Sequence, residues 1–266
     1  LNHLIQTYGK PIVAFMDGVV MGGGMGLCQG VALRIVTEKT KMAMPETKIG
    51  LFPDVGGGHF LSRCPGAVGE YLALTGQVIG ADEAIAYGLA DVRLASGEQA
   101  ALWQALAQTP FASGDEALSF LRERLTHHGA GAALPEVLQS AFSQPDLPRI
   151  LAALDAAGDA LSQQTAAALR ERSPLMLYVT LEQIRRARHM NLADELRMEW
   201  DMVWRCFHHR PVVDSETVEG IRALAVDKDH QPRWKPARVA DVDLAEVAQF
   251  FVSPVAAEDH PLRHLR

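Results

Sequence analysis

"MGGGMGLCQGVALRIVTEKTKMAMPETKIGLFPDVGGG", residues 21–58, contains two glycine triplets and, between them, two proline–acid pairs. Glu46 directly follows Pro45, and Asp54 directly follows Pro53. Apolar, β-branched runs surround these features, and such runs between glycine-rich turns are typical of buried strands in α/β proteins. The stretch therefore predicts an α/β fold in which glycine turns present two carboxylates.

Strands and helices alternate around this stretch. "PIVAFMDG", "VALRIVTEK", "KMAM" and "DVRLA" each predict a strand, and "LCQGVAL" predicts a helix that begins after the glycine run 22–26. "AVGEYLALTG" predicts a helix that ends at Gly76, since glycine is favoured just beyond a helix end. After Ser96 alanine and leucine dominate and helix follows helix. We therefore predict a core portion over 1–95, then a largely helical region over 96–266 whose C-terminal segment packs back on the core.

One helix in the second region has a clear apolar stripe. "NLADELRMEWDMVWRCF" repeats apolar residues at spacings of three and four, which is the period of one helix face. We predict that this stripe is the buried face, and it consists of Leu192, Leu196, Trp200, Val203 and Phe207.

Composition excludes several classes of function. The 266 residues carry a net charge of −7, so the chain lacks the basic excess of nucleic-acid-binding proteins. No apolar run approaches the roughly 18 residues of a membrane span, so we expect no membrane partner. The 3 cysteines are far apart, which favours a reducing compartment. Neither His127-His128 nor His208-His209 has metal-ligand spacing, so we expect no metal site.

The first glycine triplet permits two interpretations. Glycine allows positive φ and close approach of a ligand, and the free N–H groups of a following helix bind a phosphate or a developing oxyanion. The run GGGMG is neither the GxGxxG dinucleotide fingerprint nor a Walker motif. The alternative is a tight strand-to-helix crossing that only needs small residues, and the spacing alone does not separate the two.

The two carboxylates also permit two interpretations. Glu46 is either a solvated turn residue or a carboxylate beside buried surface, where a raised pKa suits a general base or acid. Asp54 is either the N-cap of the helix that follows or a group that orients a substrate hydroxyl or a water. No GxSxG elbow is present, and no cysteine has the neighbours of a nucleophile. Enzymatic chemistry would therefore rest on backbone amides and carboxylates.

The combination of motifs resembles a known family. "PIVAFMDGVVMGGGMGL", "AMPETKIGLFPDVGGGHFLSR" and "ALTGQVIGADEAIAYGLAD" resemble the crotonase (enoyl-CoA hydratase/isomerase) superfamily, and "SPLMLYVTLEQI" and "SETVEGIRALAVDKDHQPRWKPA" resemble its 3-hydroxyisobutyryl-CoA hydrolase branch. The resemblance implies a ββα spiral core followed by helices, and an acyl-CoA substrate with no separate cofactor. It also implies strands that precede Leu1 and carry a second oxyanion amide, so we expect the N-terminal part of the core to be missing.

The resemblance implies roles for individual residues. It makes the Gly23 amide a donor to the thioester carbonyl, Glu46 the catalytic carboxylate and Asp54 the neighbour of the substrate 3-hydroxyl. Further substrate contacts are expected at Gly22, Gly24, Gly26, Phe52 and Pro53. Hydratases of the superfamily carry a glutamate where this chain has Gly26, and its loss favours thioester cleavage over hydration.

The predicted activity is therefore hydrolysis of a short 3-hydroxyacyl-CoA, with 3-hydroxyisobutyryl-CoA of valine breakdown as the leading substrate. Two alternatives stay open: an enoyl-CoA hydratase or isomerase, and a non-catalytic CoA-binding member of the fold. Alanine-rich composition favours a bacterial cytoplasm over a mitochondrial matrix. Trimers are common among the related hydratases, so a homo-oligomer also stays open.

Basic residues for the coenzyme A phosphates are harder to identify. Arg185, Arg186 and Arg188 cluster on one predicted helix, and Lys235 lies near the C-terminus. We interpret most of them as solvated charges. Trp234 either covers an adenine or anchors the C-terminal segment, and we favour the anchor.

Overall fold

The computed structural model describes residues 1–125 and 131–266, and these residues form two compact units. The first unit comprises Leu1–Ala43 and Val78–Ala133, and the second comprises Met44–Gln77 and Leu134–Arg266. Each unit thus combines segments that are distant in the sequence. The predicted division into 1–95 and 96–266 stays a prediction.

The elements follow one another in an α/β pattern and then as helices. The strands in the described residues are β1 Val13–Met16, β2 Val19–Met21, β3 Leu33–Val36, β4 Lys41–Ala43 and β5 Val92–Arg93. The α-helices there are α1 Asn2–Gln6, α2 Gly23–Gln29, α3 Gly57–Leu61, α4 Val68–Thr75, α5 Ala81–Ala86, α6 Gln99–Gln108, α7 Gly114–Arg124, α8 Glu136–Phe142, α9 Leu147–Ala157, α10 Ala160–Arg170, α11 Pro174–Ala187, α12 Leu192–His208, α13 Glu216–Ile221 and α14 Leu244–Gln249. Short 3-10 helices cover Glu46–Ile49, Ser96–Glu98, Val212–Asp214, Val239–Asp241 and Ala257–Asp259, and a π-helical turn covers Arg222–Val226.

The first unit is built on two small parallel sheets. One has the strand order β1-β3-β5, with Val13 beside Leu33 and Ile35 beside Val92, and the other pairs β2 with β4. Helices α6 and α7 bury their apolar residues against the larger sheet. The resulting core cluster consists of Leu33, Ile35, Val92, Leu94, Leu102, Leu118, Leu121 and Leu125.

The predicted α/β class with a largely helical second part is confirmed. The four predicted strands are present as β1, β3, β4 and β5, and Gly76 follows α4 in the left-handed region at φ 63°. Strand β2 was not predicted, because Asp17-Gly18 marks the end of β1 and the chain resumes at once in the second sheet. The predicted start of α2 was too late, since the helix begins at Gly23.

The second unit is held together by helices α11 and α12. Phe52 is fully buried against residues of both helices and of α14. Its core cluster consists of Phe52, Leu175, Met176, Val179, Ala187, Met198, Met202, Cys206, Val247 and Phe250. At roughly 25 cal/mol per Å² of buried apolar surface, such a cluster fixes the mutual position of the helices that carry it.

The predicted buried face of α12 is wrong. The residues buried in this helix are Ala193, Glu195, Met198, Met202 and Cys206. None of the five residues of the predicted stripe is buried, and Phe207 is 39% exposed. The sequence of α12 contains two stripes with helical spacing. Ranking the two stripes by apolar content favours the wrong one, because the buried stripe contains Glu195. An acidic residue therefore lies inside the second unit.

No α-helix in the described part of the chain has the length and apolar character needed to span a membrane.

Candidate functional site

Glu46 is the first residue of the 3-10 helix that follows Pro45. Its side chain is only 7% exposed. Burial raises the pKa of this carboxyl to about 8, and the nearby negative charge of Asp54 adds to the rise. The interpretation of Glu46 as a solvated turn residue is therefore wrong, and a carboxyl with this pKa can exchange a proton near neutral pH.

The turn that carries Glu46 is fixed by its neighbours within the second unit. The Thr47 hydroxyl donates to the Leu74 carbonyl at 3.1 Å, on the turn that ends α4. Gly50 closes the 3-10 helix at φ 65°, and its carbonyl accepts a hydrogen bond from the Thr217 hydroxyl of α13 at 2.7 Å. Because helix ends from two parts of the chain hold the turn, the Glu46 carboxyl has a defined position.

Asp54 lies in the tight turn between Pro53 and α3. The N-cap of α3 is Gly56, and no side chain among the described residues caps this helix, so the interpretation of Asp54 as a helix cap is wrong. Only its backbone carbonyl bonds to the helix start, accepting from the Gly57 amide at 2.8 Å. Burial raises the pKa of Asp54 above its ordinary value. The carboxyl is therefore not used for capping.

Each residue of the second triplet must be glycine for a structural reason. Gly56 has φ 85°, in the left-handed region that disfavours other residues. A Cβ at Gly57 would come within 2.8 Å of the Pro53 Cβ, and a Cβ at Gly58 would overlap the Glu195 carboxylate. The triplet thus lets the Asp54 turn pack directly against a buried acidic residue.

Two acidic residues of α12 lie beneath this turn, and the sequence prediction missed both. Glu199 accepts hydrogen bonds from the Val55 amide at 2.8 Å and the Gly56 amide at 2.6 Å. Burial raises the pKa of Glu195 to about 7, and burial together with the Glu195 charge raises the pKa of Glu199. Their spacing of four places both on one side of the helix. That spacing beside Met198 and Met202 was the only signal in the sequence.

The first triplet lies in the first unit and begins α2. Gly22 is the N-cap at φ 50°, Gly23 and Gly24 are exposed in the first turn, and Gly26 is buried. Among the described residues, a Cβ at Gly23 or Gly24 would meet no atom within 4 Å. Packing therefore does not explain glycine at these two positions.

The structure brings some of the predicted site residues together. Glu46, Phe52, Pro53 and Asp54 all lie in the second unit, and the glycines of the first triplet belong to the first unit. Phe52 is fully buried in the core, and the Pro53 carbonyl accepts from Gln183 at 2.9 Å. The roles of all these residues toward a substrate stay predictions.

The basic residues considered for coenzyme A have protein partners. Arg185 donates to the carbonyls of Gln144 and Pro145, and Arg188 pairs with the buried Glu70 at 2.7 Å. Arg188 is exposed and Arg185 is partly buried, so the interpretation of most of these basic residues as solvated charges stays a prediction.

Arg186 and the C-terminal residues also have partners. Arg186 pairs with Glu182, and Lys235 pairs with Asp214 at 2.6 Å. The Trp234 indole donates to the Glu171 carbonyl at 3.0 Å, which agrees with its predicted role as an anchor.

The two histidine pairs were considered as metal ligands, and the structure describes only one of the pairs. His127 and His128 lie outside the described residues. His208 stacks on Trp204, and His209 lies 3.3 Å from a carboxylate oxygen of Glu246. Among the described residues, no group of at least three histidine, cysteine or acidic side chains could hold a metal ion.

Comparisons with known proteins agree with the fold and with the motifs. The family model described as enoyl-CoA hydratase/isomerase matches residues 1–251. "Probable 3-hydroxyisobutyryl-CoA hydrolase 3" from Arabidopsis thaliana is 36% identical, over 94% of this chain and 68% of the relative. "3-hydroxyisobutyryl-CoA hydrolase, mitochondrial" from Danio rerio is also 36% identical, over 95% of this chain and 67% of the relative.

A solved structure shows the same fold. The crystal structure described as a carnitinyl-CoA dehydratase from Mycobacterium thermoresistibile superposes with a TM-score of 0.79 at 36% identity, covering 96% of this chain and 71% of that one. The chain thus spans about two thirds of the length of its curated relatives. The predicted location in a bacterial cytoplasm and the homo-oligomer stay predictions.

Proposed function

Because this chain belongs to the enoyl-CoA hydratase/isomerase family, we propose that it hydrolyses a short 3-hydroxyacyl-CoA thioester, with 3-hydroxyisobutyryl-CoA of valine breakdown as the substrate. The names of two relatives support the thioester hydrolase activity and the acyl group. The single observation that carries the proposal is the buried Glu46 carboxyl, whose raised pKa is further raised by Asp54. Coenzyme A is part of this substrate, and no separate cofactor is proposed.

Glu46 is suited to start the reaction. A carboxylate that has lost its hydration shell is a stronger base and a stronger nucleophile than one in water, which is the meaning of its raised pKa. In the first of two routes, ionised Glu46 takes a proton from a water molecule as the water oxygen bonds to the thioester carbonyl carbon. The tetrahedral intermediate then expels the coenzyme A thiolate, which receives that proton from Glu46 and leaves a free hydroxy acid.

In the second route, a Glu46 oxygen bonds to the thioester carbonyl carbon itself. The carbon–sulfur bond breaks, the coenzyme A thiolate leaves, and a mixed anhydride between Glu46 and the acyl group remains. Water then adds to the anhydride and returns ionised Glu46 and the hydroxy acid, and the thiolate takes up the proton that the water releases. Both routes need Glu46 in its ionised form, so both predict activity that rises as this carboxyl loses its proton.

The remaining proposed roles concern binding and orientation. The Gly23 amide, at the exposed start of α2, would donate to the thioester oxygen as negative charge develops on it. Asp54 would accept a hydrogen bond from the substrate 3-hydroxyl and so distinguish hydroxyacyl from plain acyl groups. Gly22, Gly24, Gly26, Phe52 and Pro53 are proposed to line the path of the acyl group.

A thiol-release assay tests the function. The wild-type protein is given 3-hydroxyisobutyryl-CoA and, separately, crotonyl-CoA, and Glu46→Gln is measured beside it. We expect release from the hydroxy substrate alone, with kcat about 10²–10⁴-fold lower in Glu46→Gln. Absence of thiol release with either substrate would contradict the proposal.

Labelled water separates the two chemical routes. A single turnover in H₂¹⁸O is followed by mass spectrometry of the peptide that contains Glu46. Label in the Glu46 side chain would exclude the general-base route, because only an anhydride opened at the Glu46 carbon transfers a water oxygen to that carboxyl.

The second candidate function is hydration of an enoyl-CoA, which the name of the Mycobacterium thermoresistibile protein favours. A hydratase of this superfamily uses a second glutamate at the position of Gly26, and a buried glycine there offers no acid or base. Loss of crotonyl-CoA absorbance without thiol release would support this alternative. Binding of coenzyme A without either reaction would support the non-catalytic alternative.

A further inference from the structure

The Asp54 turn contains a strained residue. Val55 has φ 55°, in the left-handed region, and it is directly followed by Gly56 at φ 85°. A left-handed conformation is unfavourable for any residue with a Cβ, and for a β-branched residue it is a rare outlier. Such strain persists only where surrounding groups enforce it, and it is concentrated at functional sites.

Glu199 hydrogen-bonds both of these left-handed residues. Successive backbone N–H groups in a turn can form a concave site for a hydrogen-bond acceptor. One carboxylate oxygen of Glu199 accepts from Val55 at 2.8 Å, and the other accepts from Gly56 at 2.6 Å. The acceptor in this backbone site is thus a carboxyl from α12, over 140 residues later. Together these two hydrogen bonds can offset the strain at Val55.

A second contact holds the other side of Asp54. Gln183 of α11 is fully buried, and its side-chain amide donates to the Pro53 carbonyl at 2.9 Å. Asp54 therefore lies between one residue fixed by Gln183 and two residues fixed by Glu199. Neither contact uses the Asp54 carboxyl itself.

We propose that Glu199 is a positioning residue: by holding Val55 and Gly56 in the left-handed conformation, it aims the Asp54 carboxyl at the substrate 3-hydroxyl. This inference rests on the proposed function. Gln183 supports the same turn from its other end. Glu199 does not touch the substrate in this role, and it acts on the acyl group only through Asp54.

The test compares Glu199→Gln with Glu195→Gln. In Glu199→Gln one oxygen becomes an NH₂ group that faces a backbone N–H, so one of the two hydrogen bonds is lost. Glu195→Gln is the matched control, since it removes a buried carboxyl one turn earlier on α12 without removing either bond to Val55 or Gly56. Each protein is assayed with 3-hydroxyisobutyryl-CoA and with isobutyryl-CoA, which lacks the hydroxyl group.

A positioning role for Glu199 and a general loss of structure in the variant give different results in this assay. We expect Glu199→Gln to lower kcat/KM for the hydroxy substrate about 10–100-fold and to change that for isobutyryl-CoA less than about threefold. Glu195→Gln should keep the wild-type preference. Adding Val55→Gly to Glu199→Gln removes the strain and should restore part of the preference. An equal loss on both substrates, or no rescue, would overturn the proposal.

Amide hydrogen exchange provides a readout that does not depend on catalysis. The Val55 and Gly56 amides should lose protection in Glu199→Gln and keep it in Glu195→Gln. If the wild type turns over neither substrate, the proposed function fails while this exchange pattern still shows that Glu199 holds the turn. Unchanged protection in Glu199→Gln would overturn the inference even if hydrolysis is found. Should Glu199→Gln not fold, the double variant with Val55→Gly is measured in its place.

Discussion

The two glycine triplets are identical in sequence, but their structural settings are different. Gly23 and Gly24 are exposed, and a Cβ at either position would meet no atom within 4 Å in the part of the chain that the structure describes. Gly57 and Gly58 are buried, and a side chain at either position would collide with Pro53 or with Glu195. Packing therefore requires glycine at positions 57 and 58, whereas at positions 23 and 24 we propose that glycine gives a substrate access to the backbone amides.

The difference shows how the second triplet and the buried acids depend on each other. Four carboxyls of the second unit have a raised pKa, and they belong to Glu46, Asp54, Glu195 and Glu199. Packing the turn without side chains lets α12 bring two of these carboxyls close to it. The cost is a set of buried groups that oppose folding when they are ionised.

Of the four substitutions predicted in this section, Glu46→Gln should give the largest change in the free energy of unfolding. Glu46 ordinarily titrates near 4.5 and in the folded protein near 8, so wild-type stability falls as pH rises through this interval. At pH 8 and above the variant should therefore be more stable by about 2–4 kcal/mol, with no gain below pH 4.5. Urea unfolding at several pH values measures this, and a variant that is less stable at pH 8 would contradict the raised pKa.

Gly58→Ala should destabilise the protein by about 2–3 kcal/mol, because its Cβ overlaps the Glu195 carboxylate and the buried turn must shift. Thermal unfolding measures the loss. The double variant with Glu195→Ala should recover part of it, since the shorter side chain vacates the space. A Gly58→Ala protein as stable as the wild type would contradict the packing explanation.

Gly56→Ala should cost about 1–2 kcal/mol, since alanine is strained at φ 85° even where space is available. Unlike the loss at Gly58, this one should not be recovered by Glu195→Ala. Recovery would mean that contact with Glu195, and not backbone conformation, requires glycine here. Chemical denaturation of the single and double variants decides between these causes.

Gly24→Ala should change the stability least, and unlike the two substitutions in the second triplet it should stabilise the protein. The residue is exposed within α2, so alanine should stabilise the protein by about 0.5 kcal/mol through its higher helix propensity. Turnover should nevertheless fall, because the new methyl group lies where the acyl group is proposed to approach. A destabilised Gly24→Ala protein would remove the contrast between the two triplets.

The sequence was informative where a function depends on local chemistry. The pairs Pro45-Glu46 and Pro53-Asp54 identified two carboxyls whose surroundings proved to be buried, and glycine and apolar patterns predicted four of the strands. Strand β2 was not predicted, because the turn signal Asp17-Gly18 was taken as the end of strand pairing. These features are encoded within a few residues of the chain.

Long-range contacts were not accessible in the same way. Glu195 and Glu199 lie 137 and 143 residues after Gly58 and Gly56, and nothing near either segment reveals that they meet. The apolar stripe of α12 favoured the wrong face for the same reason, since the buried face contains an acid that is accommodated only by a distant glycine. Ranking helix faces by apolar content counts against a face that contains Glu195, although this face is the buried one in the folded chain.

The pH dependence of kcat/KM for thiol release from 3-hydroxyisobutyryl-CoA tests the central claim most directly. This ratio reports ionisation of the free protein, and the working form of Glu46 in either route is the ionised one. We predict that kcat/KM, corrected for spontaneous hydrolysis, rises with pH and reaches half its plateau near pH 8. A profile that is flat or falls between about pH 6 and 9 would show that Glu46 is not the group that starts the reaction.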